Sequence, residues 1–321
     1  MTSHTDPTDT SPSATIGSSD LRVFPLSLGG NVFGWTADEA TSFDVLDAFT
    51  AGGGNFIDTA DGYSAWVPGN TGGDSERIIG RWTAARGNRD DLVIATKVSQ
   101  HPDFRGLAPD NIRAAADASL ERLQTDHIDL YYAHFDDASV PLADTVGALS
   151  ELVDAGKVRY IAISNYSPER IDEWFAVTER DGLHAAVALQ PQYNLVERGF
   201  ETGLRERAER FGLGVVPYYA LASGFLTGKY REGSSVDSPR AGTAAGYLDA
   251  RGTAVLEALD AISAAHGASV TSTALAWLRQ QDTVVAPIAS ARNVDQLGDL
   301  LASATLELTS DELAALDAAS E

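Results

Sequence analysis

Strand-like apolar runs alternate with amphipathic helical segments along most of the chain, and this alternation restricts the possible folds more than any other feature. The apolar runs lie at residues 27–32, 55–59, 92–97, 128–133, 158–163, 186–190, 213–218 and 283–288. The helical segments lie at residues 38–51, 74–86, 109–123, 140–154, 168–180, 200–211, 253–266 and 293–302. Eight strands, each followed by a helix without a break in composition, predict an α/β protein with a single (β/α)8 TIM barrel.

A dinucleotide-binding fold with a doubly wound sheet is the alternative for such an alternation. That fold needs a glycine-rich turn with G-x-G-x-x-G spacing between its first strand and helix, and an acidic residue about 20 positions later. The segment from Gly29 to Gly34 does not have this spacing. The barrel is therefore the better prediction.

The ends of the chain and its apolar content predict where the protein is found. Residues 1–20 are rich in Thr, Ser, Asp, Pro and Gly, so we expect a disordered tail, with the barrel covering residues 21–321. The tail lacks the basic start and the apolar centre of a signal peptide. No later segment approaches the roughly 20 apolar residues of a membrane span. We therefore expect a cytoplasmic protein.

The composition excludes several kinds of partner and site. The chain has 46 Asp and Glu residues against 23 Lys and Arg residues, a net charge of −23, which disfavours nucleic acid and anionic membrane as partners. It has no cysteine, so disulfides and thiolate chemistry are excluded. The six histidines show no H-E-x-x-H or similar ligand spacing, so we predict no metal site.

Ionisable residues follow three successive predicted strands. Asp58 ends one strand and Tyr63 follows it by five positions, Lys97 ends the next strand, and His134 ends the third. Taken alone, Lys97 is typical of a surface charge and His134 of a core histidine. Because strand C-termini meet at one face of such a barrel, we expect all four side chains to meet at its mouth.

These four residue types together can protonate a carbonyl oxygen. A free phenol has a pKa of about 10, and a neighbouring ammonium is expected to lower it. A carboxylate would keep that ammonium charged, and a histidine could orient the carbonyl. A proton donor of this kind is useful only if a hydride reaches the carbonyl carbon, so a nicotinamide cofactor is implied.

The order and spacing of these residues resemble the aldo-keto reductase family. Asp58-Thr-Ala-x-x-Tyr63, the strand-end Lys97 and His134 correspond to the catalytic tetrad of that family. The resemblance spans about residues 21–302 and is strongest to bacterial reductases and to the β-subunits of voltage-gated potassium channels. It implies an NADP(H)-dependent enzyme that acts on a small carbonyl or alcohol substrate, with Tyr63 as general acid or base.

The same resemblance implies a set of cofactor contacts. Ser164, Asn165 and Gln190 correspond to residues that hold the nicotinamide carboxamide, and Tyr218 to an aromatic residue that stacks on the ring. The remaining implied contacts are Gly30 and Asn31 after the first strand, Leu221, Gly224 and Lys229 near the pyrophosphate, Ser290, Arg292 and Gln296 near the adenosine, and Arg240. Arg240 and Arg292 imply a preference for NADPH, since its 2′-phosphate needs a basic partner.

The chain departs from the family pattern at a few of these positions, and a second class of function stays open. Tyr219 stands where the subgroup often has Ser, Ala289-Ser290 replaces Pro-Gly, and Asp299 and Leu300 replace Glu and Asn. The alternative function is a cofactor-bound regulatory module without catalysis, like the channel subunits. His134 argues against it, because those subunits carry Asn there. The sequence carries no signal for an oligomeric state.

Overall fold

The computed structural model describes residues 12–231, 233, 236–237 and 239–321, and its centre is one curled sheet of parallel strands. The strands are β1 (Ser27–Gly29), β2 (Phe56–Asp58), β3 (Val93–Val98), β4 (Ile128–Ala133), β5 (Val158–Ser164), β6 (Ala186–Gln190), β7 (Gly214–Val215) and β8 (Ile288–Ala289). They pair in the order β8-β1-β2-β3-β4-β5-β6-β7, each parallel to its neighbours.

Hydrogen bonds between the segments that contain the two outer strands, residues 214–217 and 283–288, close the sheet. The amide of Val215 donates to the carbonyl of Thr283 at 2.9 Å, and the amide of Val285 donates to the carbonyl of Val215 at 2.8 Å. The amide of Ile288 donates to the carbonyl of Pro217 at 2.9 Å. The predicted (β/α)8 barrel is therefore confirmed.

Helices connect the strands and pack against each other around the sheet. They are α1 (Glu39–Ala51), α2 (Asp74–Arg86), α3 (Pro109–Leu123), α4 (Leu142–Asp154), α5 (Pro168–Asp181), α6 (Leu204–Phe211), α7 (Ala241–Ala245), α8 (Ala250–His266), α9 (Val270–Arg279), α10 (Leu297–Ala302) and α11 (Ser310–Ala319). Among the residues that the structure describes, no helix has the length and apolar character that a bilayer crossing requires.

Alternate side chains along each strand point to opposite faces of the sheet. This alternation separates the core into two parts and sets the direction of the polar side chains at the strand ends. Ile57 and Ile94 pack outward against the helices, whereas Phe56, Val93 and Ala95 pack in the barrel interior. Asp58 lies two residues after Phe56, and Lys97 lies two residues after Ala95. Because alternate side chains share a face, both ionisable side chains point into the barrel.

Some predicted element boundaries are wrong. The predicted strand 27–32 ends at Gly29, and Gly30–Val32 form a 3-10 turn in which the carbonyl of Gly30 accepts hydrogen bonds from the Ser75 hydroxyl and the Phe33 amide. The helix predicted at 200–211 begins only at Leu204, because Gly203 has a positive φ of 82° that interrupts the helical backbone. Helices α7, α9 and α11 were not among the predicted segments.

The predicted boundary of the tail at residue 20 is also wrong. Ala14–Thr15 pair with Arg22–Val23 in an antiparallel hairpin, and Ile16 is fully buried among the residues of the barrel interior. Gly17 has a positive φ of 49° and lies so close to the Val187 carbonyl that a side chain would not fit there. This hairpin belongs to the fold, whereas residues 1–11 of the predicted tail lie outside the described residues.

Candidate active site

A buried ion pair between Asp58 and Lys97 forms the centre of the site. The Lys97 Nζ donates to Asp58 Oδ2 and to the carbonyl oxygen of Thr59, both at 2.7 Å, and to the phenolic oxygen of Tyr63 at 3.0 Å. The Tyr63 hydroxyl also lies 3.4 Å from Asp58 Oδ2. The ammonium group therefore bridges the carboxylate and the phenol, as the strand-end spacing predicted.

Burial, and not the ammonium, determines the net pKa shift of the phenol. Burial is the largest cause and the charge of Asp58 the next, and together they raise the pKa of Tyr63 well above its usual value. The expectation that Lys97 lowers this pKa below that value is wrong in net direction. Tyr63 is therefore protonated at neutral pH. The hydrogen bond from Lys97 remains available to stabilise a phenolate once the proton has left.

His134 is neutral at physiological pH. Burial, with a smaller contribution from the charge of Lys97, lowers the pKa of His134 well below its usual value. Its ring centroid lies 6.3 Å from that of Tyr63. Within the described part of the chain, its buried Nδ1 has no hydrogen-bond partner. A neutral imidazole beside the phenol can orient a polar group of a substrate without adding charge.

A chain of polar side chains continues from the tetrad across the ends of β5 and β6. Gln190 Nε2 donates to Asp58 Oδ1 at 2.9 Å, and the Ser164 hydroxyl donates to the Gln190 carbonyl at 2.9 Å. Asn165, at a positive φ of 60°, donates to the carbonyl of His134, and its Oδ1 accepts from the Tyr218 hydroxyl, both at 2.9 Å. These hydrogen bonds fix one wall of the site.

A cavity of about 650 Å³ extends from this wall along the mouth of the barrel. Every predicted site residue lines it except Lys97 and Gly30. Lys97 lies behind Asp58 and Tyr63, and Gly30 packs against Ser75 and the backbone of Asp58, where a side chain would collide. Gly29 lines the cavity instead, and a Cβ there would lie 2.6 Å from the Ser290 hydroxyl.

Three basic side chains line the cavity. Burial and the charge of Arg292 lower the pKa of Lys229. The pKa of Arg240 is also lowered, because burial and the charge of Arg292 outweigh the opposite effect of Tyr219. Arg292 therefore lies within electrostatic reach of both Lys229 and Arg240. Three cations along one cavity suit the phosphates of a dinucleotide, in a chain whose net charge is −23.

Hydrogen bonds between cavity residues and the conformation of the loop after β7 also suit a bound dinucleotide. The Ser290 hydroxyl donates to Asn31 Oδ1 at 2.7 Å, and the Arg292 amide donates to Gln296 Oε1 at 2.9 Å. The backbone after β7 has a positive φ at Tyr219, Ala222, Ser223 and Gly224, so it forms a tight loop along the cavity. The amide, phenol and basic groups of this cavity fit a nicotinamide dinucleotide.

Two of the aromatic residues at the mouth of the cavity, Trp35 and Phe135, were missed by the sequence analysis. We define the aromatic wall as Trp35, Trp66, Phe135 and Tyr219. Trp66 lies 5.7 Å from Trp35 and 6.3 Å from Tyr63 between ring centroids, and Trp66, Phe135 and Tyr219 are exposed. The sequence contains a signal for two of them, because Phe135 and Tyr219 directly follow the strand-end residues His134 and Tyr218.

Two further observations concern single positions of the site. The Arg240 guanidinium carbon lies 5.3 Å from the centre of the Trp35 ring, so this cation reaches the aromatic wall. Asp299 and Leu300 both line the cavity, as their correspondence to adenine-binding positions implies, but Leu300 is also part of the core. Within the described ranges, no three His, Asp or Glu side chains are grouped as metal ligands.

Comparisons with known proteins match almost the entire chain. The model of the Aldo/keto reductase family matches residues 25–321. The chain is 35% identical to Protein tas of Escherichia coli (strain K12), across 94% of this chain and 95% of that protein. It is 33% identical to norsolorinic acid reductase B of Aspergillus parasiticus, across 94% of this chain and 82% of that protein. It is 30% identical to an aryl-alcohol dehydrogenase of Pestalotiopsis microspora, across 92% of this chain and 78% of that protein.

Proposed function

This chain belongs to the aldo/keto reductase family and is an NAD(P)H-dependent oxidoreductase, and from that premise we propose that it reduces small carbonyl compounds with NADPH. The observation that carries the proposal is the buried contact of Lys97 with both Asp58 and Tyr63 at the base of the cavity. The same groups serve the reverse reaction, the oxidation of an alcohol.

Each member of the tetrad has a distinct part in the proposed reaction. The hydride that adds to the carbonyl carbon would come from NADPH when it is bound. Tyr63 donates its proton to the carbonyl oxygen, and Lys97 stabilises the remaining phenolate through its hydrogen bond. Asp58 holds the ammonium in place, and His134 donates a hydrogen bond that orients the carbonyl. For alcohol oxidation the Tyr63 phenolate accepts the proton.

The proposed cofactor contacts fall into two groups, one for the nicotinamide and one for the rest of the cofactor. Ser164, Asn165 and Gln190 would hold the carboxamide of the nicotinamide, and Tyr218 would stack on its ring. The contacts proposed for the rest of the cofactor are Asn31, Leu221, Gly224, Lys229, Arg240, Ser290, Arg292 and Gln296, all of which line the cavity. For Gly30 we propose only a supporting role, since it packs behind the cavity wall.

The aromatic wall favours aromatic substrates. Exposed rings beside the proton donor provide flat surfaces against which a planar ring can stack. One relative is named as a dehydrogenase of aryl alcohols. We therefore propose aryl aldehydes or aryl ketones, and the corresponding alcohols, as the substrate class.

A matched pair of aldehydes tests this function. We expect the purified protein to oxidise NADPH faster with benzaldehyde than with cyclohexanecarbaldehyde, by about two- to tenfold in kcat/KM, because ring contacts contribute about 0.5–1.5 kcal/mol beyond buried area. Loss of NADPH absorbance gives both rates. Equal values for the pair would contradict the aromatic class. No turnover of any aldehyde or ketone, with NADPH bound, would contradict the reductase proposal.

Cofactor choice is tested at Arg292. We expect Arg292→Ala to raise the Kd for NADPH about tenfold, or ~1.4 kcal/mol, and to leave the Kd for NADH nearly unchanged. The physical reason is that the two cofactors differ only in the 2′-phosphate, which the guanidinium would bind through paired hydrogen bonds. Fluorescence quenching measures all four dissociation constants.

A matched control separates this contact from general charge effects. Arg180→Ala makes the same change in net charge on α5, at an exposed arginine paired with Asp181. We expect it to leave both dissociation constants unchanged. Equal losses for NADPH and NADH in Arg292→Ala, or a wild-type protein that prefers NADH, would show that the proposed contact is wrong.

A further inference from the structure

Asp61 lies in the turn between Asp58 and Tyr63, close to Lys97. Its backbone amide donates to the carbonyl of Lys97 at 3.2 Å, so the turn is attached to β3 beside the tetrad. The Asp61 side chain has no exposed surface. Among the described residues, neither of its carboxyl oxygens meets the geometry of a hydrogen bond, although the backbone amides of Gly62 and His101 lie close enough to lower its pKa by a smaller contribution. An ionised carboxylate in such surroundings would be very costly to bury.

The charged neighbours of Asp61 already have other partners. Glu76 of α2 accepts from the Thr96 hydroxyl at 2.5 Å and from Arg122 Nε at 2.6 Å, so its carboxylate is satisfied. Arg122 of α3 is paired with Glu76 in that contact. Lys97 of β3 donates to three other oxygens, although the charge of Asp61 acts on it.

Two uncharged titratable groups complete these surroundings. Tyr131 of β4 is buried, and burial, followed by the charges of Asp61 and Glu76, raises its pKa well above the usual range. His101 accepts a hydrogen bond from the Asp103 amide at Nδ1, at 3.1 Å, and burial, followed by the charge of Arg122, lowers its pKa. Both groups are neutral, so neither supplies a charge that would compensate an ionised Asp61.

A charge count favours a protonated Asp61. The buried region beneath the site contains the cations Lys97 and Arg122 and the carboxyl groups of Asp58, Asp61 and Glu76. With all three carboxyl groups ionised the sum is 2 − 3 = −1, and with Asp61 protonated it is 2 − 2 = 0. Since Asp58 and Glu76 are each paired with a cation, the neutral arrangement is the one in which Asp61 holds the proton. In agreement, burial and then the charge of Glu76, against Arg122, raise the pKa of Asp61 to about 8.

We propose that Asp61 is a neutral carboxylic acid in the active protein, and that its ionisation slows proton transfer at Tyr63 through the charge that it adds beside Lys97. This role rests on the proposed function of Tyr63 and Lys97. The phenolate that forms when Tyr63 gives its proton to the carbonyl oxygen is negative. A second unpaired negative charge in the same low-dielectric region makes that phenolate less stable. Asp61 thus acts on the reaction through its charge, as a positioning residue, and it does not line the cavity in which the substrate would bind.

The pH dependence of turnover tests the proposal. We expect the wild-type kcat to fall about tenfold between roughly pH 7 and pH 9, following the ionisation of a single group near pH 8. Asp61→Asn, which keeps the shape of the neutral acid, should abolish most of this fall, so that the ratio of the two rates approaches one. Asp154→Asn, at an exposed carboxylate of α4, is the matched control and should keep the alkaline fall. The same ratio in the wild type and in Asp61→Asn would overturn the proposal, and so would a loss of the fall in Asp154→Asn.

Thermal unfolding gives a readout that does not depend on turnover. A carboxyl group whose pKa is higher in the folded than in the unfolded state contributes stability that is complete below about pH 4 and is lost as the pH rises through about 8. The Tm of Asp61→Asn minus that of the wild type should therefore increase from about pH 5 to about pH 8 and then level off. A difference that is independent of pH would overturn the protonated Asp61.

Infrared spectroscopy of the wild type covers the case in which the variant does not fold. The carbonyl stretch of a protonated carboxylic acid should be present at neutral pH and disappear as the pH rises through about 8. Absence of that band at neutral pH would overturn the proposal. A wild type that shows the band but has no reductase activity would instead contradict the proposed function, and with it the part of Asp61 in that reaction.

Discussion

Replacement of Tyr63 by Phe is expected to lower kcat by roughly 10²–10⁴-fold, which is the usual contribution of a positioned proton donor. The hydroxyl removed is the one that accepts from Lys97 at 3.0 Å and is protonated at neutral pH. The ring remains, so its edge contacts with Trp66 and His134 are preserved. The Kd for NADPH should therefore change little. Steady-state kinetics with NADPH and an aryl aldehyde, together with fluorescence quenching, measure both quantities.

Tyr219→Phe is the matched control, because a second phenol lines the same cavity. Tyr219 is exposed and directly follows Tyr218 at the mouth, and among the described residues it shows no contact with Lys97 of the kind that Tyr63 makes. We expect its loss to change kcat by no more than about threefold, as removal of a non-reacting hydroxyl group should. Retention of half the turnover in Tyr63→Phe, or a large loss only in Tyr219→Phe, would show that the proton donor has been wrongly assigned.

The position of the tetrad could be predicted because it depends on two simple regularities. Parallel strands place their C-terminal ends at one face of a barrel, and alternate side chains along a strand share a face. Asp58 and Lys97 therefore point inward once Phe56 and Ala95 do. The turn that returns Tyr63 to Lys97 is short, so few other arrangements were open to the phenol.

The electrostatics of the same residues could not be predicted from spacing. An ammonium beside a phenol suggested a lowered pKa of Tyr63, and the structure gives a raised one. The sign depends on burial and on the second neighbour, Asp58, and burial depends on loops far away in the sequence. The surroundings of the Asp61 carboxyl group could not be predicted for the same reason. Its charged neighbours Glu76 and Arg122 are paired with each other and come from two separate helices.

The parts of the fold that were missed depend on contacts between distant segments. The hairpin around Ile16 looks polar locally, yet it closes the bottom of the barrel beside Val187. Helix α11 did have a local signal, because Thr309 and Glu312 form a reciprocal capping box at its start. Helix α9 likewise begins after Ser269, whose hydroxyl accepts from the Ser272 amide. Greater weight on such capping residues would have found both helices.

The second large effect is expected at Lys97. Lys97→Met should lower the free energy of unfolding by about 3–5 kcal/mol, because it leaves the buried Asp58 carboxylate without its cation. Both side chains are almost completely inaccessible to solvent, and Gln190 remains the closest donor to Asp58, at 2.9 Å. We also expect kcat to fall by a factor on the order of 10²–10⁴, since the phenolate of Tyr63 loses its stabilising hydrogen bond. Denaturant unfolding at neutral pH measures the first effect.

A control variant and a double variant distinguish the loss of the ion pair from the loss of a lysine. Lys157→Met removes an exposed lysine that is paired with Asp117, and the free energy of unfolding should change by less than about 1 kcal/mol. Asp58→Asn combined with Lys97→Met removes both charges, so it should be less destabilised than the sum of the two single variants, although it stays inactive. Additive losses in this cycle would mean that the two buried charges do not depend on each other. In that case Asp58 could not be the group that holds the ammonium against Tyr63, and the proposed division of roles within the tetrad would have to be abandoned.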